Sequence, residues 1–131
     1  MSTEEKIVYN GKLENSAEYQ RILPDVMNEV YTIFAKDGII STEDSIIFAK
    51  EELASGHTSL FGNYEEEIEE NTEKIRKAKA LLSTNPEAAA DLFMMLGSCH
   101  RLWSLQKTIL KEKYGITWYT PSELNPDVNF D

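Results

Sequence analysis

The sequence predicts an all-α fold, arranged as an antiparallel four-helix bundle with an ordered C-terminal extension. Three observations point there. Apolar residues recur at spacings of three and four over several long stretches, which is the period of one helix face. Short punctuating segments such as Lys36-Asp37-Gly38, "GHTSLFGN" and "TNPE" separate these stretches, and they are of the kinds that stop and start helices. Four periodic stretches joined by short connections favour antiparallel neighbours. At 131 residues the chain fits one domain, and a chain of this size buries about two-thirds of its unfolded surface.

Residues 1–15 read as a polar N-terminal tail, with "IVY" as a short extended piece and Asn10-Gly11 as a turn. Residues 16–131 read as a single helical domain. Its first helix starts near Ser16, with Tyr19, Ile22/Leu23, Val26/Met27, Val30/Tyr31 and Phe34 on one stripe. Pro24 is expected to split or bend it, and Gly38 to close it. The second helix is predicted to open at "STED" (Ser41 to Asp44), a hydroxyl cap followed by carboxylates. It buries Ile46, Ile47, Ala49 or the Lys50 stem, and Leu53, and stops at Gly56. The loop after it is expected to tuck Leu60 and Phe61 inward.

The third helix, about 63–83, is the most charged. Glu65, Glu66, Glu67, Glu69, Glu70 and Glu73 precede Lys74, Arg76, Lys77 and Lys79, an order that matches the helix dipole. Its seam is thin: Tyr64, Ile68, Ile75, Ala78 and Leu82. "TNPE" then caps a fourth helix with Pro86 at its first position, predicted to run to Tyr114 and end at Gly115. Leu96 and Met95 fall on its broad apolar face, and Gly97-Ser98 marks a close crossing or a break. Ile116, Trp118 and Tyr119 read as an extended apolar piece, and "TPSE" (Thr120 to Glu123) as a capping box. Trp118 and Leu124 are expected to pin this extension to the helices.

Composition narrows the function. The net charge is −10, from 23 acids and 13 bases. That field repels phosphate backbones and anionic lipid, so direct nucleic-acid and membrane binding are disfavoured. The imbalance fades toward the C-terminus, where residues 91–131 carry 5 acids and 4 bases. One cysteine leaves no internal disulfide. The opening "MSTEEKIVYNGKLENS" lacks the apolar core of a signal peptide. A cytoplasmic protein is expected.

"LGSCHRLW" (Leu96 to Trp103) sets Cys99 beside His100. Adjacent residues on a helix point about 100° apart, which suits a nucleophile–base dyad poorly. A buried cysteine, slow toward thiol reagents, is expected. Zinc needs about four ligands and the chain holds one Cys and two His. Ala54 and Gly97 stand where a Glu-x-x-His motif would put glutamate. No phosphate-binding glycine loop or nucleophile elbow is present. No catalytic residue, metal or cofactor is therefore assigned.

Two surfaces remain. Arg101, Lys107 and Lys111 lie near Trp118 and Tyr119 in sequence, and basic residues with aromatics make the better partner surface. Glu66, Glu69, Glu70 and Glu73 share one helix face, a rod of negative charge of the kind that can imitate DNA. The expected function is a non-enzymatic binding or regulatory module acting on another protein or, as a homodimer, on itself. The alternatives are an acidic inhibitor of a nucleic-acid-handling protein and a metal-binding or cysteine-dependent enzyme.

Overall fold

The structure is a computed structural model that describes residues 1–58 and 62–130. Leu60 and Phe61, expected to turn inward, lie outside the described residues. Helices are the regular structure of the described chain: α1 (Thr3–Glu14), α2 (Ala17–Ala54), α3 (Tyr64–Leu82), α4 (Pro86–Asp91), α5 (Ser98–Tyr114) and α6 (Pro121–Leu124). The all-α class stands, while the number of helices and several boundaries differ from expectation.

The expected N-terminal tail is helical. Ser2 accepts from the Glu5 amide and Glu5 reaches back to Ser2, a capping box that starts α1. The S-x-x-E spacing that carries it is present in the sequence. Asn10 and Gly11 are accordingly mid-helix, not a turn.

α2 runs unbroken through Pro24, Gly38 and Ser41-Thr42-Glu43-Asp44, so neither the expected split nor the expected new start occurs. Pro24 is exposed, while Tyr19, Ile22, Val26 and Val30 are buried on one face. Their burial outweighs the one helical hydrogen bond that proline removes. The helix ends where expected, with Gly56 at φ 76° and the His57 amide donating to the Glu52 carbonyl.

α3 begins and ends as predicted, with Asn63 accepting from the Glu65 amide. The helix predicted from Pro86 to Tyr114 is two helices. α4 stops at Asp91, Gly97 takes φ 83°, and α5 starts at Ser98. The Met95 amide donates to Ser98 Oγ at this break. Met95 and Leu96, expected in the core, are exposed in the connection, and Leu105 is buried instead. α5 ends at Gly115, also left-handed, with the Ile116 amide donating to the Leu110 carbonyl.

The described chain forms two compact units. The first comprises residues 1–31 and 94–130, with α1, the first part of α2, α5 and α6. It buries Tyr19, Ile22, Val26, Val30, Leu105, Ile109, Leu110 and Trp118, and α1 packs on α6. The phenol of Tyr19 accepts from Gln106 Nε2 at 3.0 Å, which gives a buried amide its partner. The second unit, residues 32–93, holds the rest of α2 with α3 and α4. Ile39, Ile75 and Ala78 form its core, with Ile46, Leu82, Leu92 and Phe93 packed around them.

Candidate functional site

The aromatic, basic end of the chain folds back on its own unit. The Asn10 side chain is 2% exposed. Its Nδ2 donates to the Tyr119 carbonyl at 2.6 Å and its Oδ1 accepts from the Tyr119 amide at 3.0 Å. One α1 side chain thereby satisfies both backbone groups of an extended residue that has no strand beside it. Tyr9 Oη donates to the Thr117 carbonyl at 2.6 Å, and its ring meets Tyr119 edge-on at 5.7 Å. Lys6 and Lys107 approach the Tyr119 ring at 5.1 and 5.7 Å, distances at which a cation favours the ring face.

Lys107 also donates to Glu123 Oε1 at 2.5 Å, and Glu123 closes a capping box with Thr120. Burial by itself would raise the Glu123 carboxyl. The bonds from Lys107 and the Thr120 amide outweigh it and hold the group below the usual carboxylate range. A carboxyl lowered on folding contributes stability above its unfolded-state value, and that contribution disappears as pH falls through the folded-state value. Acidification should therefore loosen the extension. The protection of the Tyr119 amide, its exchange rate relative to the intrinsic rate at each pH, should fall between neutral pH and about pH 3, and Lys107→Met should flatten that response. An unchanged profile in the variant would contradict the assignment.

The predicted partner surface is thus largely an internal clasp. Trp118 is only 5% exposed and buried in the first unit, so it pins the extension as expected but cannot present itself to a partner. Tyr119 and Lys107 are held by α1 and α6. Arg101 and Lys111 are exposed on α5. No signal in the sequence marked the clasp, because Asn10 is one of several polar residues in α1.

Cys99 and His100 do not address each other. The Cys99 thiol, half-buried, donates to the Phe130 carbonyl at 3.1 Å. The exposed His100 ring stands edge-on to Trp103 at 5.5 Å, and Trp103 is edge-on to Phe130 at 5.2 Å. This is where the last described residue docks on α5. Cys99 is therefore less buried than expected, but its sulfur is engaged. A thiol reagent should label it more slowly in the native protein than in denaturant, and removing residues 128–131 should speed native labelling. Equal native rates with and without that segment would show that the Phe130 contact does not shield it. His57, the other histidine, places Nδ1 2.7 Å from Glu52 Oε2.

Glu66, Glu69, Glu70 and Glu73 do come together. They line one side of an open cleft of about 860 Å³ in the second unit, with Lys74, Lys77 and Leu92. The face is not uniformly negative, because Glu73 is bound by Arg76 one turn on. That bond holds the Glu73 carboxyl below its ordinary value. Among the described residues no group of three or more His, Cys, Asp or Glu side chains is placed to hold a metal ion. No described helix is long and apolar enough to cross a membrane.

Sequence reasoning missed a third surface. On the second-unit part of α2, Ile40 is 60% exposed, Ile47 55% and Phe48 55%. Ile47 was expected in the core. The helix continues through Gly38 without restarting at Ser41; Ile46 and Ala49 face inward as expected, with Ile39, while Leu53, also expected inside, is exposed. Ser41, Asp44, Ser45 and Phe48 line a second cleft of about 630 Å³ with Glu67, Glu70 and Asn71 from α3.

Comparison with known proteins finds no matching family model, no matching curated protein and no matching solved structure.

Proposed function

We propose that this chain is a non-enzymatic protein-binding or regulatory module. What supports the reading is the number of large apolar side chains that the fold leaves outside: Ile40, Ile47, Phe48, Met95 and Leu96 are each more than half exposed. Scattered single exposures are ordinary, but three within nine residues of one helix make a patch. The partner is another protein or a second copy of this chain, in the cytoplasm, with no cofactor and no direct contact to nucleic acid or membrane. An antiparallel order of the long helices, in the four-helix sense expected from their short connections, belongs to the same proposal. The test is affinity capture by the tagged full chain from host lysate, with elution in salt steps. A stoichiometric protein that persists at high salt supports the module, since an apolar contact is little screened. A tagged chain that captures nothing and sediments as a monomer would overturn it.

A second reading has its own support. The four glutamates of α3 line one open cleft, consistent with an acidic inhibitor that occupies a nucleic-acid-handling protein. Capture of such a protein, released at modest salt, would favour it over the first. For a metal-dependent or cysteine-dependent enzyme no observation of Cys99, His57 or His100 speaks.

A further inference from the structure

Four positions of α2, residues 40, 44, 47 and 51, are separated by four, three and four residues and so form one stripe along the helix. They read Ile40, Asp44, Ile47, Glu51, apolar and acidic in alternation, and all four are exposed. The opposite side of the same turns is buried: Ile39 and Ala49 lie in the interior, and Ile46 packs against the core of the second unit. The stripe is therefore the outer face of a helix whose inner face is already satisfied. Phe48 flanks it, ring edge-on to Tyr64 at 6.3 Å, with its free side toward the cleft that Asp44 and Glu70 also line. Asp44 and Glu51 take no part in the ion pairs Glu52–His57, Glu73–Arg76 and Glu43–Lys79 seen among the described residues of this unit.

We propose that this face docks a helical segment of another protein carrying lysine or arginine in alternation with apolar residues along one side. This rests on the reading of the chain as a binding module and names the surface and the partner's chemistry. The charge pattern decides against a second copy. Two such stripes in antiparallel register set Ile40 against Glu51 and Ile47 against Asp44, burying carboxylates on hydrocarbon. Shifted to bring the isoleucines together, they set Asp44 against Asp44. The first arrangement leaves every buried anion without a cation, and in the second Lys36 faces Glu51 but the central Asp44 carboxylates meet no cation, which is strongly unfavourable. Anionic lipid and nucleic acid meet the same repulsion. A basic amphipathic helix meets none of it: apolar residues cover Ile40 and Ile47 while guanidinium or ammonium groups reach Asp44 and Glu51. Helix-against-helix recognition of this kind is read through anchors one turn apart.

The test uses the full chain and two labelled amphipathic peptides, one with leucine and arginine alternating at this spacing and one with glutamate replacing arginine. Fluorescence anisotropy should show the arginine peptide bound at least about tenfold more tightly than the glutamate peptide. The double variant Ile40→Ser/Ile47→Ser should lose about tenfold or more, and Asp44→Lys/Glu51→Lys should reverse the preference. Glu66→Gln/Glu69→Gln, on the other cleft, should leave binding unchanged. All four substituted α2 positions are exposed, so the variants should keep wild-type helicity by circular dichroism. Equal binding of both peptides, indifference to the α2 variants, or an equal loss on the α3 variant would overturn the proposal, the last by reducing it to bulk acidity. Vesicle binding or self-association abolished by Ile40→Ser/Ile47→Ser would also overturn it, by assigning the face to another occupant. A captured partner that the Ile40→Ser/Ile47→Ser chain still retains would sink this surface while leaving the binding module intact. Capture of no protein by a chain that also sediments as a monomer would sink the module.

Discussion

Replacing Asn10 by alanine should destabilise the first unit by about 2–4 kcal/mol, since each buried backbone group left unpaired costs about 1–3 kcal/mol. The reason is that Asn10 makes two bonds to one residue, accepting from the Tyr119 amide and donating to its carbonyl. Alanine removes both partners and supplies nothing to the extended segment, which has no neighbouring strand to turn to. Asn10→Asp keeps the acceptor and loses the donor, so its cost should fall between wild type and alanine. The loss has a ceiling. If residues 116–130 undock as a unit, the measured global effect cannot exceed the free energy of that local opening. Chemical denaturation gives the total, and exchange at the Tyr119 amide gives the local share. A change below about 0.5 kcal/mol, the usual scale of an unimportant surface substitution, would mean that the clasp does not hold the extension.

Gly38→Ala should also destabilise, by about 2 kcal/mol, which is within the usual range for overpacking a core. Taken in isolation this substitution favours the helix, because glycine in a helix interior is about 1 kcal/mol worse than alanine. The sign reverses here because of Phe93. A Cβ built on Gly38 would lie 2.3 Å from Phe93 Cγ and 2.6 and 2.8 Å from its two Cδ atoms. The phenyl ring lies flat on the α2 backbone where glycine leaves room. With alanine the ring must leave its seat beside Ile39, Ile75 and Ala78. The same geometry predicts coupling. Phe93→Leu should cost less in the Gly38→Ala background than in wild type, and the double-mutant cycle should return an interaction of about 1–3 kcal/mol. A stabilising Gly38→Ala, or additive effects, would show that the ring does not sit there.

Together these two positions locate the difference between local and distant information. Gly38 stands in a stretch with every local mark of a helix end, followed by a serine cap and two acids. Helix α2 passes through all of it, because packing of Ile39 and Ile46 with Ile75 and Ala78 of α3 and with Leu92 and Phe93 is worth more than the propensity of one glycine and one cap. The face expected for this part of α2 was too broad: Ile46 and Ala49 lie inside as expected, but Ile47 and Leu53 stay exposed. The same error hid the stripe from Ile40 to Glu51.

The clasp was hidden for a different reason. Periodicity reports which residues share a face of one helix, but not that Asn10 and Tyr119, 109 positions apart, share two hydrogen bonds. The aromatic and basic residues near the C-terminus carried a composition that suits binding, and the fold uses Trp118, Tyr119 and Lys107 for that purpose within the chain itself. Glu66, Glu69, Glu70 and Glu73, by contrast, were legible as one face because all four belong to a single uninterrupted helix.

Everything that depends on residues a few positions apart can be read from the chain directly. This includes the all-α class, the limits of α3, the Asn85-Pro86 start of α4, the glycine stops at Gly56 and Gly115, the capping box of α6, and the acidic face. These rest on hydrogen bonds and dipoles that close within one or two turns. That α2 is one helix, that the run from Pro86 to Tyr114 breaks at Gly97, and which apolar residues remain outside emerge only from long-range packing. Those outcomes turn on burial between distant segments. The free energy of packing one face exceeds the local preferences it overrules.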